Sequence, residues 1–367
     1  MVNGETIIDP SKEISKSYDF IISGIQQIGI GVENAEAAWD WYKKYFGMDL
    51  PVFADRASAK LMTKYTNGKV EDRYAILALN LQGGGGLEIW EYTSRKPTKP
   101  ETTISLGDLG VFAIKIKSKD VQKTYDYYVS ESLYIIGGIQ KDPTGKQCFF
   151  VHDPFGNLFQ IVEHNDWLLE SNKLTGGVSG AIIGVSDIDT SANFYKKLIH
   201  NSTCHYFDRN TFQDLKGFPF GNQEFKRAFL IQSKKKKGAF STLLGNFELE
   251  LIQACQRTPS KIFNNRQWGD LGFIHICFDV NGMDELEKEC ARTESPFTVN
   301  SKNSFDMGKA AGQFAYCEDP DGTLIEFVET HKIPIIEKLK LYFHLKWINT
   351  SKPLPRWFFK LMELNKK

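Results

Sequence analysis

The chain has 367 residues, 41% hydrophobic and 13% aromatic, enough for more than one packed core and too apolar for a disordered polymer. Lys+Arg and Asp+Glu number 45 each, a net charge of zero, and no basic face runs through the sequence, so nucleic-acid binding is not expected. The six cysteines (Cys148, Cys204, Cys255, Cys277, Cys290 and Cys317) form no Cys-x-x-Cys pair, which points to reduced thiols and a cytoplasmic protein.

Residues 1–20 read as a polar N-terminal arm with Pro10, without the pattern of a secretory signal or a spanning helix. A first strand opens near Ile25, with Ile28, Ile30 and Val32 on one face and Gln27, Gly29 and Gly31 on the other. It leads into an amphipathic helix whose stripe is Ala38, Trp41, Tyr42, Tyr45 and Phe46. This unit closes through Gly83-Gly84-Gly85-Gly86, a hairpin rather than a phosphate cradle because no Lys-Ser/Thr helix start follows. A second unit opens near Val111, carries the stripe Val121, Thr124, Tyr125, Tyr128 and Val129, and closes through Asp153-Pro154-Phe155-Gly156, a composition suited to a tight turn. A third opens near Ser179 and closes through Gly245-Asn246, with Lys234-Lys235-Lys236-Lys237 in a solvated inter-strand loop. In the fourth, opening near Phe273, Ile276, Phe278 and Val280 oppose His275, Cys277 and Asp279, and the close is Asp319-Pro320-Asp321-Gly322.

These units repeat. Gly107-Asp108-Leu109-Gly110 returns as Gly269-Asp270-Leu271-Gly272, and Tyr42-Lys43-Lys44 as Tyr195-Lys196-Lys197. The expected fold class is α+β: four βαβββ modules in two tandem halves, residues 21–170 and 174–331. A tail of residues 332–367 follows, with nine Lys/Arg against Glu337 and Glu363. Pro353 and Pro355 divide it into two short helices, neither able to span a bilayer. Its aromatic stripe is expected to dock on the acidic body in preference to lying on an anionic membrane surface.

The modules, the strand endings Val32-Glu33-Asn34 and Val185-Ser186-Asp187, and the closing Asp319-Pro320-Asp321-Gly322-Thr323-Leu324-Ile325-Glu326 resemble the vicinal oxygen chelate superfamily, which includes glyoxalases, bleomycin-resistance proteins and extradiol dioxygenases. The resemblance covers roughly residues 21–331. It implies modules curved in pairs around a metal, with ligands from the first and last strand of each. The corresponding positions are Gln27 and Glu88, Ala113 and Gln160, Gly180 and Glu250, and His275 and Glu326. Pairing within halves gives no credible first site, and Glu250, His275 and Glu326 in the second. Pairing across halves, as the resemblance to fused glyoxalase I proteins implies, gives one complete quartet, Gln27, Glu88, His275 and Glu326, and one dead one.

That quartet suits one divalent ion (Zn, Ni, Co, Mn or Fe) with coordination positions left open. By the resemblance, Glu326 is the proton-transferring base, with Glu88 its partner on the other face. The implied function is a metal-dependent glyoxalase-like lyase or isomerase that shifts a proton next to a metal-bound carbonyl or enediolate of a small molecule. Nothing in the residues identifies a glutathione pocket, so the substrate stays open. Two other functions occur in the superfamily. An extradiol or hydroxyphenylpyruvate dioxygenase needs two His and one carboxylate, and Gly180 stands where its first His should be. A non-catalytic antibiotic-binding protein needs an apolar cleft and no metal.

Overall fold

The structure, a computed structural model, describes residues 5–8, 19–200, 202–232, 237–302, 305–306, 311–336 and 341–367. Most of the N-terminal arm and Lys234 to Lys236 of the basic loop lie outside the described residues.

A short strand β1 (Glu5–Ile8) precedes the modules. The first comprises β2 (Ile21–Gly31), α1 (Ala35–Phe46), β3 (Leu50–Ser58), β4 (Asp72–Leu79) and β5 (Gly86–Tyr92). The second comprises β6 (Gly110–Ser118), α2 (Val121–Ser130), β7 (Tyr134–Lys141), β8 (Gln147–His152) and β9 (Leu158–Glu163). The third comprises β10 (Thr175–Gly184), α3 (Ile188–Leu198), β11 (Ser202–Asn210), β12 (Phe225–Gln232), the single turn α4 (Ser241–Leu244) and β13 (Phe247–Ala254). The fourth comprises β14 (Gly272–Asn281), α5 (Met283–Arg292), the short β15 (Val299–Asn300) and β16 (Phe305–Asp306), then β17 (Ala311–Glu318) and β18 (Leu324–Ile336). β19 (Leu341–His344) and α6 (Arg356–Leu361) follow.

The helix starts are written locally. The side chains of Asn34, Asp120 and Asp187 accept from the N–H groups of Ala37, Lys123 and Thr190, satisfying donors that a helix leaves unpaired in its first turn. The last strands add further acceptors at helix starts, each three residues beyond a candidate ligand position. Glu91 accepts from Ala35 N–H, Gln253 from Ile188 N–H, and Glu329 from Gly282 and Met283 N–H. The buried stripes are rotated slightly from those expected. Trp39 is fully buried in α1 while Trp41 is only partly so, because Ala35 opens the stripe, and Val129 of α2 is exposed.

Each module lays its last strand parallel beside its first, in the pairs β2–β5, β6–β9, β10–β13 and β14–β18. The modules then join across the halves. β2 pairs antiparallel with β14 in a ten-stranded sheet of modules one and four, and β6 with β10 in a nine-stranded sheet of modules two, three and β1. Within each half, the Asp of the Asp-Pro turn is held by the helix of the preceding module: Tyr42 donates to Asp153 at 2.6 Å and Tyr195 to Asp319 at 3.0 Å.

The repeated Gly-Asp-Leu-Gly segments stitch the linkers together. Asp270 accepts from Arg95 and from Thr98 N–H, and Asp108 from Arg257 and from Ser260 N–H. Gly31 and Gly184 are required there, since any side chain would collide with the Asp270 or Asp108 carbonyl.

The tail differs from its expected form. In place of the first short helix, β18 runs on through residue 331 to Ile336 and pairs antiparallel with β19, and a single 3-10 turn follows at Leu345–Trp347; the second segment is helical. Its docking is visible in the packing: Leu345, Leu354, Phe358, Phe359 and Met362 are buried in one cluster with Leu50, Leu79, Leu168, Leu243 and Leu244. Trp347 and Trp357 remain exposed. Among the described residues no helix is long and apolar enough to cross a membrane.

Candidate metal centre

The register makes the eight candidate positions equivalent. Glu88 lies opposite Gly29, Gln160 opposite Lys115, Glu250 opposite Ile182 and Glu326 opposite Cys277. In each case the last-strand residue faces the one two places beyond Gln27, Ala113, Gly180 or His275. A step of two returns a strand to the same face, so each module aims its pair of side chains at one point.

In the sheet of modules one and four, those points coincide. His275 Nε2 lies 3.0 Å from Glu326 Oε2 and 3.5 Å from Glu88 Oε2. The Gln27 amide nitrogen lies 3.2 Å from the same Glu88 oxygen and 3.4 Å from the same Glu326 oxygen. Donor atoms of Glu88, His275 and Glu326 all fall within 4.8 Å of one another, and all four side chains are buried.

Two buried atoms have no hydrogen-bond partner, and they bear on whether a cation fits. One is Gln27 Oε1 and the other is His275 Nε2, whose approach to Glu326 is close but poorly aligned. Oxygen and nitrogen of an amide exchange on a half-turn, and that turn would place Gln27 Oε1 against the two carboxylate oxygens. Three oxygens and one imidazole nitrogen then converge, a donor set that suits a divalent transition ion. Burial opposes a charge on His275, but the Glu326 and Glu88 carboxylates outweigh it and push its pKa up to about 9. In the ion-free protein the imidazolium form of His275 is therefore favoured, and metal binding would displace its proton.

Two residues that sequence reasoning passed over set the ring's position. Tyr316 OH approaches His275 Nδ1 at 3.4 Å, with the rings edge-on at 5.4 Å. Gly29 supplies a flat seat, since a Cβ there would lie 2.7 Å from Nδ1 and 2.8 Å from Nε2. The glycine had been legible only as one face of an alternating strand.

Above the quartet is a cavity of about 330 Å³, and Gln27, Glu88 and Glu326 lie in its floor. Its walls are largely aromatic and aliphatic, including Trp90 and Trp268, whose rings meet at 4.2 Å.

The other quartet is not assembled for an ion. Ala113 and Gly180 offer no donor, and both amide atoms of Gln160 are buried without a partner. Glu250 already carries two protein cations, Lys115 at 2.7 Å and Arg227 at 2.5 Å; Arg227 also pairs with Asp214, and Lys115 with Glu248. These carboxylates push the pKa of both bases upward despite complete burial. A lysine two places after Ala113, on the same face of an apolar strand, was the available sequence signal for this plug.

Comparison with known proteins shows what part of the chain is similar to a known family. Residues 24–161 match the model of the Glyoxalase/Bleomycin resistance protein/Dioxygenase superfamily, so the expected resemblance is found in the sequence of the first two modules. Glyoxalase I from Zea mays is 14% identical over 83% of this chain and 92% of its own, with a TM-score of 0.51. A Bacillus subtilis protein provisionally named a dioxygenase is 16% identical over 84% of this chain and 85% of its own, with a TM-score of 0.55. At these identities the likeness is one of fold. Among curated proteins nothing matches the chain.

Proposed function

We propose that the chain is a metal-dependent lyase or isomerase that moves a proton next to a carbonyl group of a small molecule, using one divalent ion held by Gln27, Glu88, His275 and Glu326. The observation that carries this reading is the convergence of four buried side chains from four strands on one point at a cavity floor, two of them with a buried atom that has no hydrogen-bond partner. Such an ion, when bound, polarises a carbonyl oxygen and so acidifies the neighbouring C–H.

The protein's own groups do the rest. Glu326 is the base: its Oε2 faces His275 and Gln27, and its side chain lines the cavity. It takes the proton from one carbon and returns it to the next, so the reaction needs no redox partner. Glu88, which lines the same cavity, is the partner of Glu326 in proton transfer in this reading. Tyr316 and Gly29 hold the His275 ring. The apolar walls keep bulk water from the proton while it resides on the carboxylate.

The reading is tested by elemental analysis of the loaded protein and by NMR of a panel of 2-oxoaldehydes and α-hydroxy ketones in deuterated buffer. One ion per chain is expected, lost in His275→Ala, with metal-dependent deuterium uptake at substrate carbon that falls about 10²–10⁴-fold in Glu326→Gln. A ratio near two ions, tight binding surviving in His275→Ala, or no metal-dependent exchange across the panel would reject it.

A binding protein without catalysis is the second reading, favoured by the apolar cavity walls. It requires ligand uptake that is indifferent to metal. A two-histidine iron site is opposed by the residues, because His275 is the sole histidine of the quartet.

A further inference from the structure

We infer that the substrate of this site is an apolar carbonyl compound, with an aliphatic or aromatic body, rather than an adduct of a charged peptide thiol. The inference rests on the metal-centred reading of the floor and concerns what fills the space above it. At about 330 Å³ the cavity is at the small end of ligand sites, roughly 300–1,000 Å³. It lies between two apolar clusters. Leu77, Trp90 and Trp268 form its wall on the sheet side, and Leu243, Phe359 and Met362 close it from above.

The closing residues come from outside the sheet that holds the quartet: Leu243 from α4 of module three, Phe359 from α6 and Met362 just beyond it. The chain thus brings apolar side chains from a second sheet and from its C-terminal segment to cover a polar floor. A substrate bearing several charges would leave each of them desolvated against these walls.

The charges available to answer it are few. Among the described residues, the charged lining beyond Glu88 and Glu326 is Asp55, Lys60 and Arg73. Arg73 is buried and bonded to Asp55 at 2.5 Å, so its charge is already balanced; Lys60 is exposed, on the segment that leads out of β3. A tripeptide thiol, with two carboxylates and an ammonium, finds no matching set of counter-charges among the described residues. An apolar chain gains about fourfold in affinity for every methylene it buries here.

The test uses hydroxamates, whose head chelates divalent ions, on the full-length chain with and without bound zinc. Binding is followed through the fluorescence of Trp90 and Trp268. In the zinc-loaded protein, octanohydroxamate is expected to bind at least about 100-fold more tightly than acetohydroxamate. Glutathione at millimolar concentration should displace neither. Met362→Asp should erase most of the octanoyl preference, while Met362→Leu should retain it. Melting curves show whether each variant is folded, and if the aspartate variant is not, Leu243→Asn takes its place.

A ratio near one in the loaded protein, or displacement by glutathione, overturns the inference, while zinc-dependent binding of both probes leaves the metal-centred reading intact. A strong octanoyl preference with no gain from zinc supports the apolar occupant and rejects the metal-centred reading instead.

Discussion

Replacing Gly29 by alanine should disable the metal centre without touching any ligand. A Cβ at this position would come within 2.7 Å of Nδ1 and 2.8 Å of Nε2 of His275, with Cε1 closer still. Ordinary contact between such atoms is about 3.5–4.0 Å, so the ring must retreat by roughly 1 Å. Behind it stands Tyr316, edge-on and itself buried, so retreat means rotation of the ring or separation of β2 from β14. Metal–ligand distances tolerate deviations of only about 0.2 Å, so either movement takes Nε2 out of the set.

Loss of an outer-shell support costs about 10–100-fold in metal affinity, and displacement of the ligand itself should cost at least as much. The overpacking should also cost about 1–3 kcal/mol of stability. Affinity is read by titrating zinc into the metal-free protein against a coloured chelator, and stability by thermal melting. Gly138→Ala is the control, because a Cβ there meets nothing within 4 Å. Wild-type zinc affinity in a folded Gly29→Ala protein would show that His275 is not a ligand.

Asp279 is buried completely, and burial pushes its pKa up to about 7 despite the Gln26 amide beside it. Its unfolded value is roughly 3.9, so the folded state keeps a proton that the unfolded state releases, and stability from this group falls as pH rises from about 4 to 7, by at most about 4 kcal/mol. Asp279→Asn should flatten the decline of melting temperature between pH 5 and pH 8, and an unchanged slope would count against a buried, ionising carboxyl. Glu250→Gln should cost roughly 3–5 kcal/mol, nearer the low end because Asp214 and Glu248 still serve Arg227 and Lys115, yet leave one ion per chain. Loss of the ion in a folded Glu250→Gln protein would place the site elsewhere. Phe359→Ala, at a fully buried tail position, should cost about 3–5 kcal/mol, and the intact chain should stay in the supernatant with anionic liposomes. Salt-sensitive sedimentation with the liposomes would refute docking as the tail's resting state.

The opening strands and the quartet were legible because both rest on short-range pattern. Alternation at period two puts Gln27 and His275 on their faces, and the Asp-Pro turns fix where the last strands begin. Pairing across halves was legible through the resemblance to fused glyoxalase I proteins and through chemical completeness, since one pairing collects Gln, Glu, His and Glu, and the strands follow it. What could not be read is what depends on distant partners. β1 is a strand because β11 offers it an edge, and no alternation in Glu5–Ile8 announces that. The opening of the tail carries Ile333, Ile335 and Ile336, branched residues that suit a strand, but its lysines and prolines suggested short helices. Arg227 gave no sign of its role, since its meaning comes from Glu250 and Asp214 on either side.

The crossing of the halves sets a schedule for folding. Gln27 and Glu326 meet across 299 positions, and at about 5–20 residues per second a ribosome needs roughly 15–60 s to deliver the second after the first. Until β10 and then β14 emerge, β6 and β2, which end up in the middle of the two sheets, each present a bare edge with apolar neighbours. The four modules are alike enough that β2 and β6 are the nearest available partners for each other, so the emerging chain meets a decoy sheet before its true partners exist. A chain caught there would gather Gln27, Glu88, Ala113 and Gln160, with one carboxylate and no imidazole. For this protein, misassembly and failure to take up metal would be a single event, and a pulse of newly made chains should acquire the ion only after the fourth module has left the ribosome.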